Sequence, residues 1–360
     1  MAAGDGLIVR IRPRLARLSR GQVAGLCTLA DRFGNGMIDV TSRANLQVRG
    51  VAETGWAALL EGLCALDLVD PEPTIEQRRN VLVAPDWIEG DATWQVATDL
   101  AARLHLLPDL PAKAGFAIDA GVAPVLADVP ADFRIERAAS GGLLLRAQGR
   151  ATGIAVPPDE AADALVALAA WFVATGGMEA GRMARHRADL PSWATGGERG
   201  APPRAALVPG RHVLGPVRGV PFGSTSAAAL AALMECSQAT AMRVTPWRVL
   251  LLEGGKPVEM SGFVDDASHC AMRAEACPGL PLCPQATVAT RALALRLAPH
   301  VGGRLHVSGC AKGCAHGGAA AVTLTGREGR FDLGRDARAG DPPVESGLDP
   351  EDLLARFGAE

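Results

Sequence analysis

Apolar positions along this chain fall at helical spacing and then alternate, and the whole figure occurs twice. Residues 24–50 read as a helix of about three turns, a strand, a turn and a second strand, and residues 228–254 repeat that order at a constant offset of 204. Leu26 and Leu29 fall on Leu230 and Leu233, and Val40 and Thr41 on Val244 and Thr245. Leu46, Val48 and Gly50 fall on Leu250, Leu252 and Gly254. Ser19 is a candidate N-cap for the first helix, and Ser224 or Ser226 for the second, because a serine oxygen can accept from an orphan N–H of the first turn. With a strand ahead of each helix, each copy is a βαββ unit. Such a unit cannot bury both of its faces alone, so the two copies are expected to pair about a pseudo-twofold axis.

The copies diverge on one face. Leu46 and Val48 point one way, so Arg43, Asn45, Gln47 and Arg49 alternate onto the other. The aligned positions in the second copy are Trp247, Val249, Leu251 and Glu253, which are mostly apolar. Arg10 and Arg12 on the preceding strand extend the first copy's polar face into a stripe of guanidinium groups. That stripe suits a carboxylate-rich ligand, since arginine binds carboxylates in a bidentate fork. An ordinary solvated sheet face is the competing explanation.

Between the copies lies a mixed α/β region with a strand at 115–118 and a helix at about 159–175, preceded by Pro157-Pro158 and ended by Gly176-Gly177. Residues 191–210, rich in Gly, Pro and Arg, read as a linker. After the second copy the pattern predicts a helix at 286–297, stopped by Pro299, and a strand at 304–307. Residues 340–343 open a loose tail with a short helix at 351–357. The expected organisation is a half-unit at 5–70, an α/β unit at 71–190, the linker, a second half-unit at 211–264, a second α/β unit at 265–343 and a tail at 344–360.

With 360 residues, two or three packed units are the natural expectation. A formal charge of −3 gives no pointer to nucleic acid. The longest apolar stretch, 164–178, is too short to span a bilayer and predicts a buried helix, so no membrane association is expected. No export signal is evident at the N-terminus, where Arg10 and Arg12 cut short Leu7-Ile8-Val9. Eight cysteines therefore predict thiols or metal ligands in a reducing cytoplasm, not disulfides. Lysine occurs only at Lys113, Lys256 and Lys312, leaving 33 of the 36 basic residues as arginine. Codon bias in a GC-rich genome is the bland reading of that balance, against which the placement of Lys312 between two cysteines and of Lys113 after Leu110-Pro111-Ala112 is mildly suggestive.

Four cysteines carry the strongest chemical signal. Cys277 and Cys283 are spaced C-x5-C, and Cys310 and Cys314 are spaced C-x3-C with Lys312 between them. Glycine and proline flank each thiol, which lets the backbone pass close to a bulky group and offers its sulfurs N–H donors. A [4Fe–4S] cluster held by four thiolates fits this pattern. A structural zinc site more often uses C-x2-C turns, and four inert core thiols are a third possibility. Cys27, Cys64, Cys236 and Cys270 read as small apolar residues.

Taken together, these pieces resemble the nitrite and sulfite reductase superfamily over roughly residues 5–343. Thr41-Ser42-Arg43-Ala44-Asn45-Leu46-Gln47 is similar to its T-x-R-x-N-x-Q tetrapyrrole-contact strand. Arg79-Asn80-Val81 with Pro85 is similar to its R-N-x-x-x-x-P segment, and Leu110-Pro111-Ala112-Lys113-Ala114-Gly115-Phe116 to its L-P-x-K-F loop. The cysteines match its cluster motifs. The resemblance implies an α+β fold in which two ferredoxin-like βαββ half-units, paired about a pseudo-twofold, alternate with two α/β units. It also implies a [4Fe–4S] cluster on Cys277, Cys283, Cys310 and Cys314.

Three departures point to the oxygen-dependent monooxygenase branch that serves aerobic cobalamin biosynthesis. The chain is short, Ala311-Lys312 stands where the reductases usually have Pro-Asn, and the Lys113 loop lacks their additional basic residue. That branch implies precorrin-3A and O2 as substrates, hydroxylation at C20 with γ-lactone formation, and a mononuclear non-haem iron besides the cluster. Arg10, Arg12, Arg43, Arg49, Arg79, Lys113 and Lys312 then become candidate substrate contacts, with Asn45 and Gln47 as hydrogen-bonding partners. None of the seven histidines forms a recognisable facial set with a carboxylate, so the iron's ligands stay unassigned. The rival readings are a sirohaem-dependent sulfite or nitrite reductase, with Cys314 bridging cluster and haem, and a non-catalytic electron carrier. No G-x-G-x-x-G follows a predicted strand, because Gly196 to Gly200 sit in the linker, so a separate NADH-linked electron donor is expected.

Overall fold

In the computed structural model, which describes residues 2–359, four five-stranded sheets carry the chain. The first has the order Ala2–Ala3, Gly6–Ile11, Leu46–Val51, Met37–Val40, Ser224–Ser226, and the third the order Gly210–His212, Gly215–Gly219, Val249–Glu253, Ala241–Val244, Arg17–Ser19. Each half-unit thus lends one short strand to the other's sheet. Ser224 pairs with Asp39, and Arg17 pairs with Arg243. The exchanged strand runs straight into its own half-unit's helix, Arg20–Phe33 or Ala227–Ser237. Ser19 and Ser226 cap these helices, each accepting from a backbone N–H three residues on. The two helices pack on each other and share one apolar core that draws on both half-units, including Leu26, Leu46, Leu230 and Leu250. The pairing inferred from the repeat is therefore interlaced through exchanged, hydrogen-bonded strands.

The offset of 204 does not extend ahead of the helices. The capping serines are 207 apart, and the first helix has 14 residues against 11. Three residues are close to one helical turn, so the extra length leaves the buried faces in phase.

The two α/β units share a topology as well. One sheet runs Val81–Val83, Phe116–Asp119, Phe133–Arg137, Leu143–Ala147, Ile154–Val156, and the other Ala274–Ala276, Leu305–Ser308, Ala320–Arg327, Arg330–Ala337, Glu345–Leu348. In both, the first three strands are parallel and the last three antiparallel. The helix Ala161–Ala174 covers the first sheet and buries Leu165, Leu168 and Phe172, so the apolar stretch is a core helix as predicted. Among the described residues no helix is long and apolar enough to cross a membrane.

Three boundaries need correction. The tail expected at 344–360 is not loose over its described residues, 344–359: Glu345–Leu348 closes the second α/β sheet, and the helix Pro350–Phe357 buries Leu353 and Leu354 in that unit's core. The helix expected at 286–297 is Arg291–Leu297, because 279–290 wraps back toward the cysteines through bonds from Leu280 N–H to Val288 and Thr287 N–H to Gly309. The linker 191–210 is partly a bound strap, with Gly153 bridged to Glu198 and Ala138 to Gly200.

Candidate active site

The second α/β sheet delivers the cysteines. Cys277 and Cys310 follow two neighbouring parallel strands and so leave the same edge. Glycines let their loops meet. A Cβ on Gly309 would lie 2.6 Å from the Ala286 methyl carbon and 3.4 Å from Gly279 Cα, and one on Gly279 would lie 2.6 Å from Thr290 Oγ1. Gly309 N–H donates to Cys277 Sγ at 3.1 Å. Thr290 Oγ1 donates to the Cys277 carbonyl and Ser308 Oγ to the Cys310 carbonyl. The Cys314 thiol is raised above its ordinary value, first by burial, with Lys312 opposing and the Cys310, Cys277 and Cys283 thiols reinforcing the rise. The four sulfurs are thus electrostatic neighbours.

Among the described residues no three His, Cys, Asp or Glu side chains converge as a single ion requires. A structural zinc needs four ligands within about 2.3 Å of one centre. In an iron–sulfur cluster each thiolate binds its own iron and the sulfide core fills the gap between them. Four thiols that sense one another without converging, with a backbone N–H on one of them, suit a cluster better than a zinc ion. The mononuclear iron fares otherwise. Its residues do not assemble: His306 and His316 form an edge-to-face pair with ring centroids 5.7 Å apart, and no carboxylate completes a ligand set with them. His306 is fully buried, both its ring nitrogens lack a partner, and burial pushes it down to about 4. It is a neutral imidazole beneath the Cys310 loop, where a Cβ on Gly313 would come within 3.7 Å of its ring.

Cys277 and Cys314 line a cleft of about 620 Å³. Thr41, Ser42, Gln47 and Arg49 of the first half-unit line it too, with Trp247 and Arg248 of the second half-unit. Gln47 is shared with a more apolar hollow of about 750 Å³ beside Trp56 and Leu60. Arg10, in turn, is common to that hollow and to one of about 230 Å³ bordered by Arg12, Arg78 and the loop at 109–114. Shared residues therefore link three hollows along the polar face of the first sheet.

The predicted cations separate into two groups. Arg10 and Arg43 are half-buried and lie among other cations. Burial lowers Arg10 most, followed by Arg12 and Arg43, while Arg43 is lowered by burial and then by Arg182. Arg43 Nη2 donates to the Lys113 carbonyl at 3.4 Å, which brings the predicted strand and the predicted lysine loop together. Lys113 itself is exposed. Arg12, Arg49 and Arg79 are held in ion pairs, Arg49 on the wall of the cysteine cleft. Glu76 accepts from Arg12 at 2.7 Å and from Arg79 at 2.7 Å, and Arg79 also donates to the Arg12 carbonyl. Arg49 is 4 % exposed and bridges Asp5 and Asp39. Arg49 and Arg79 are structural ion pairs, because a buried charge must be partnered. Lys312 is exposed between its two cysteines.

Within the motif at 41–47, Thr41 and Asn45 build the turn. Thr41 N–H donates to the Asn45 carbonyl, Thr41 Oγ1 accepts from the N–H groups of Arg43 and Asn45, and Ala44 takes a φ of 52°. The second copy makes the same turn with Thr245 and with Arg248 at a φ of 58°. Asn45 is buried, whereas Gln47 faces the cleft.

Sequence reasoning missed two residues. Arg182 follows a short helix with no local signature, yet Asp132 holds it beside Arg43. Arg291 lies in the cleft wall with Cys277, bonded to Ser224 Oγ. The repeat could have flagged its surroundings. The cross-strand pair Asp39–Arg49 of the first copy becomes Arg243–Glu253 in the second, with the charges reversed. In the first α/β unit, the positions that follow the two corresponding strands are Ala84 and Gly121, so only the second unit offers thiols.

Comparison with known proteins places this geometry. Residues 1–66 match the family model of the nitrite/sulfite reductase ferredoxin-like half domain. A precorrin-3B synthase from Sinorhizobium sp is 32 % identical over 99 % of this chain and 86 % of its own length. The structure of the Mycobacterium tuberculosis NirA protein superposes with a TM-score of 0.58 over 96 % of this chain and 78 % of that one, at 16 % identity, which establishes the shared fold.

Proposed function

The chain belongs to the precorrin-3B synthase family, and from that premise we propose that it catalyses the oxygen-dependent monooxygenation of precorrin-3A in aerobic cobalamin biosynthesis. One oxygen atom of O2 becomes a hydroxyl at C20, and the ring A acetate closes a γ-lactone onto C1. The other oxygen atom leaves as water with two electrons and two protons, drawn from a separate NADH-linked donor. Full-length kinship to a synthase carries this reading. A cleft lined by cluster-type thiols and by a polar sheet face supports it.

The protein's own groups have definable tasks. Arg10, Arg43, Arg182 and Lys113 offer a cationic border for the substrate's carboxylates, and the repulsion of Arg43 with Arg10 and Arg182 makes an anion there favourable. Gln47, on the cleft wall, supplies a directional hydrogen bond, and Trp247 an apolar surface. Cys277, Cys283, Cys310 and Cys314 hold a [4Fe–4S] cluster, which when bound supplies single electrons. Gly309 N–H orients one of those sulfurs.

The test begins with anaerobically purified protein, examined by absorption before and after acid–acetone extraction. Broad visible absorption that bleaches on reduction, without an extractable porphyrinoid, is expected. Precorrin-3A supplied with O2 and a reductant should then yield a product one oxygen atom heavier by mass spectrometry. Extractable sirohaem together with sulfite or nitrite turnover would move the protein to the reductases.

A further inference from the structure

Resting on the reading that the four cysteines hold a redox cluster, we propose that Arg291, braced by Asp39, sets the reduction potential of that cluster. Arg291 comes directly after Thr290, whose hydroxyl holds the Cys277 carbonyl, and its side chain is 19 % exposed. It lines the same cleft as Cys277, and the Cys277 sulfur lies within its electrostatic reach. Nη1 donates to Ser224 Oγ at 2.8 Å, on the strand exchanged between half-units. Nη2 stands 3.7 Å from Asp39 Oδ1, too far for a hydrogen bond. Arg291 Nε and Asp39 Oδ1 are both buried without a hydrogen-bond partner, and Asp39 Oδ2 is already taken by Arg49.

That incomplete pairing separates Arg291 from the purely structural arginines. Arg134, fully buried, spends its donors on Glu136, Gln148 and two carbonyls. Arg243, on the pseudo-twofold mate of the Asp39 strand, is saturated by Glu253, two carbonyls and the face of Trp87, against the first α/β unit, which has no cysteine. Arg291 has no hydrogen-bonded carboxylate of its own and lines the cleft with Cys277 and Cys314. Each electron added makes the thiolate-bound cluster one unit more negative, so a fixed cation in a poorly screened interior favours the reduced form. Lys312 is nearer in sequence but exposed, where solvent and salt screen it. Asp39 opposes Arg291 and limits its effect.

The experiment is an anaerobic redox titration of the full-length protein, read by the electron paramagnetic resonance signal of the reduced cluster. R291Q should lower the reduction equilibrium at least tenfold, about 59 mV for one electron. R291K, which keeps the charge, should stay near the unmodified protein. D39N should shift the potential upward, and K312Q should move it little. Equal shifts in R291K and R291Q, or a downward shift in D39N, would overturn the proposal in favour of a structural role. If R291Q fails to load a cluster, the sign of the D39N shift decides. Absence of a cluster signal in the unmodified protein would remove the underlying reading, and this proposal with it.

Discussion

Arg43 and Arg49 are six positions apart on one polar face, yet Arg43 reaches the Lys113 loop while Arg49, on the cleft wall, is locked between Asp5 and Asp39. Alternation fixes the face a side chain occupies, not whether a carboxylate from elsewhere waits there. Asp119 shows the same dependence on context. At the end of its strand it is 1 % exposed, accepts from the Val125 and Leu126 N–H groups, and leaves Oδ1 without a partner. Burial is the main cause that pushes its carboxyl up from 3.8 to about 6. The folded state therefore keeps a proton that the unfolded chain has lost. The penalty is absent below pH 3.8, grows as pH rises, and is complete above about pH 6, at roughly 3 kcal/mol. D119N should raise the urea midpoint at pH 8 and leave it unchanged at pH 4. An equal change at both pH values would show that charge is not the cause.

Among the elements, the C-terminal helix Pro350–Phe357 illustrates what local pattern does convey. Asp349 and Asp352 form a reciprocal capping box, Pro350 opens the first turn, and Gly358 closes the helix at a φ of 65°. The helix expected at 351–357 is present and begins one residue earlier. Those signals carried no information about its docking, which depends on Leu353 and Leu354 meeting the second α/β core. L353A should cost about 2–5 kcal/mol, because Leu353 has no exposed surface and its loss leaves a cavity. Chemical denaturation would read this directly, and a cost below about 0.5 kcal/mol would mean that the helix is peripheral after all.

Over the whole molecule, the strand exchange makes the two halves interdependent. A chain cut between Ala205 and Ala206 separates Ser224–Ser226 from its partner Met37–Val40, and Arg17–Ser19 from Ala241–Val244. It also splits the shared apolar core. Neither fragment alone should unfold cooperatively, while the two mixed from denaturant should recover one transition by circular dichroism. A cooperative transition in the 1–205 fragment alone would contradict this. The cleft shares that dependence, since its thiols come from the last unit and Thr41, Ser42, Gln47 and Arg49 from the first.

The repeat, the cysteine spacing and the motif at 41–47 were all readable along the chain, because periodicity, loop glycines and turn residues act between near neighbours. They were sufficient for the paired half-units and for the identity of the candidate cluster thiols. Which arginines remain available to an anion was not readable. Glu76 reaches Arg12, Asp5 reaches Arg49 and Asp132 reaches Arg182 across 64, 44 and 50 residues. Strand exchange and the closing of Glu345–Leu348 onto its sheet were equally hidden, since backbone hydrogen bonding does not name its partner strand. Folding alone brings Asp39 and Arg291 together beside Cys277. The electrostatics of this site belong to contacts between distant segments.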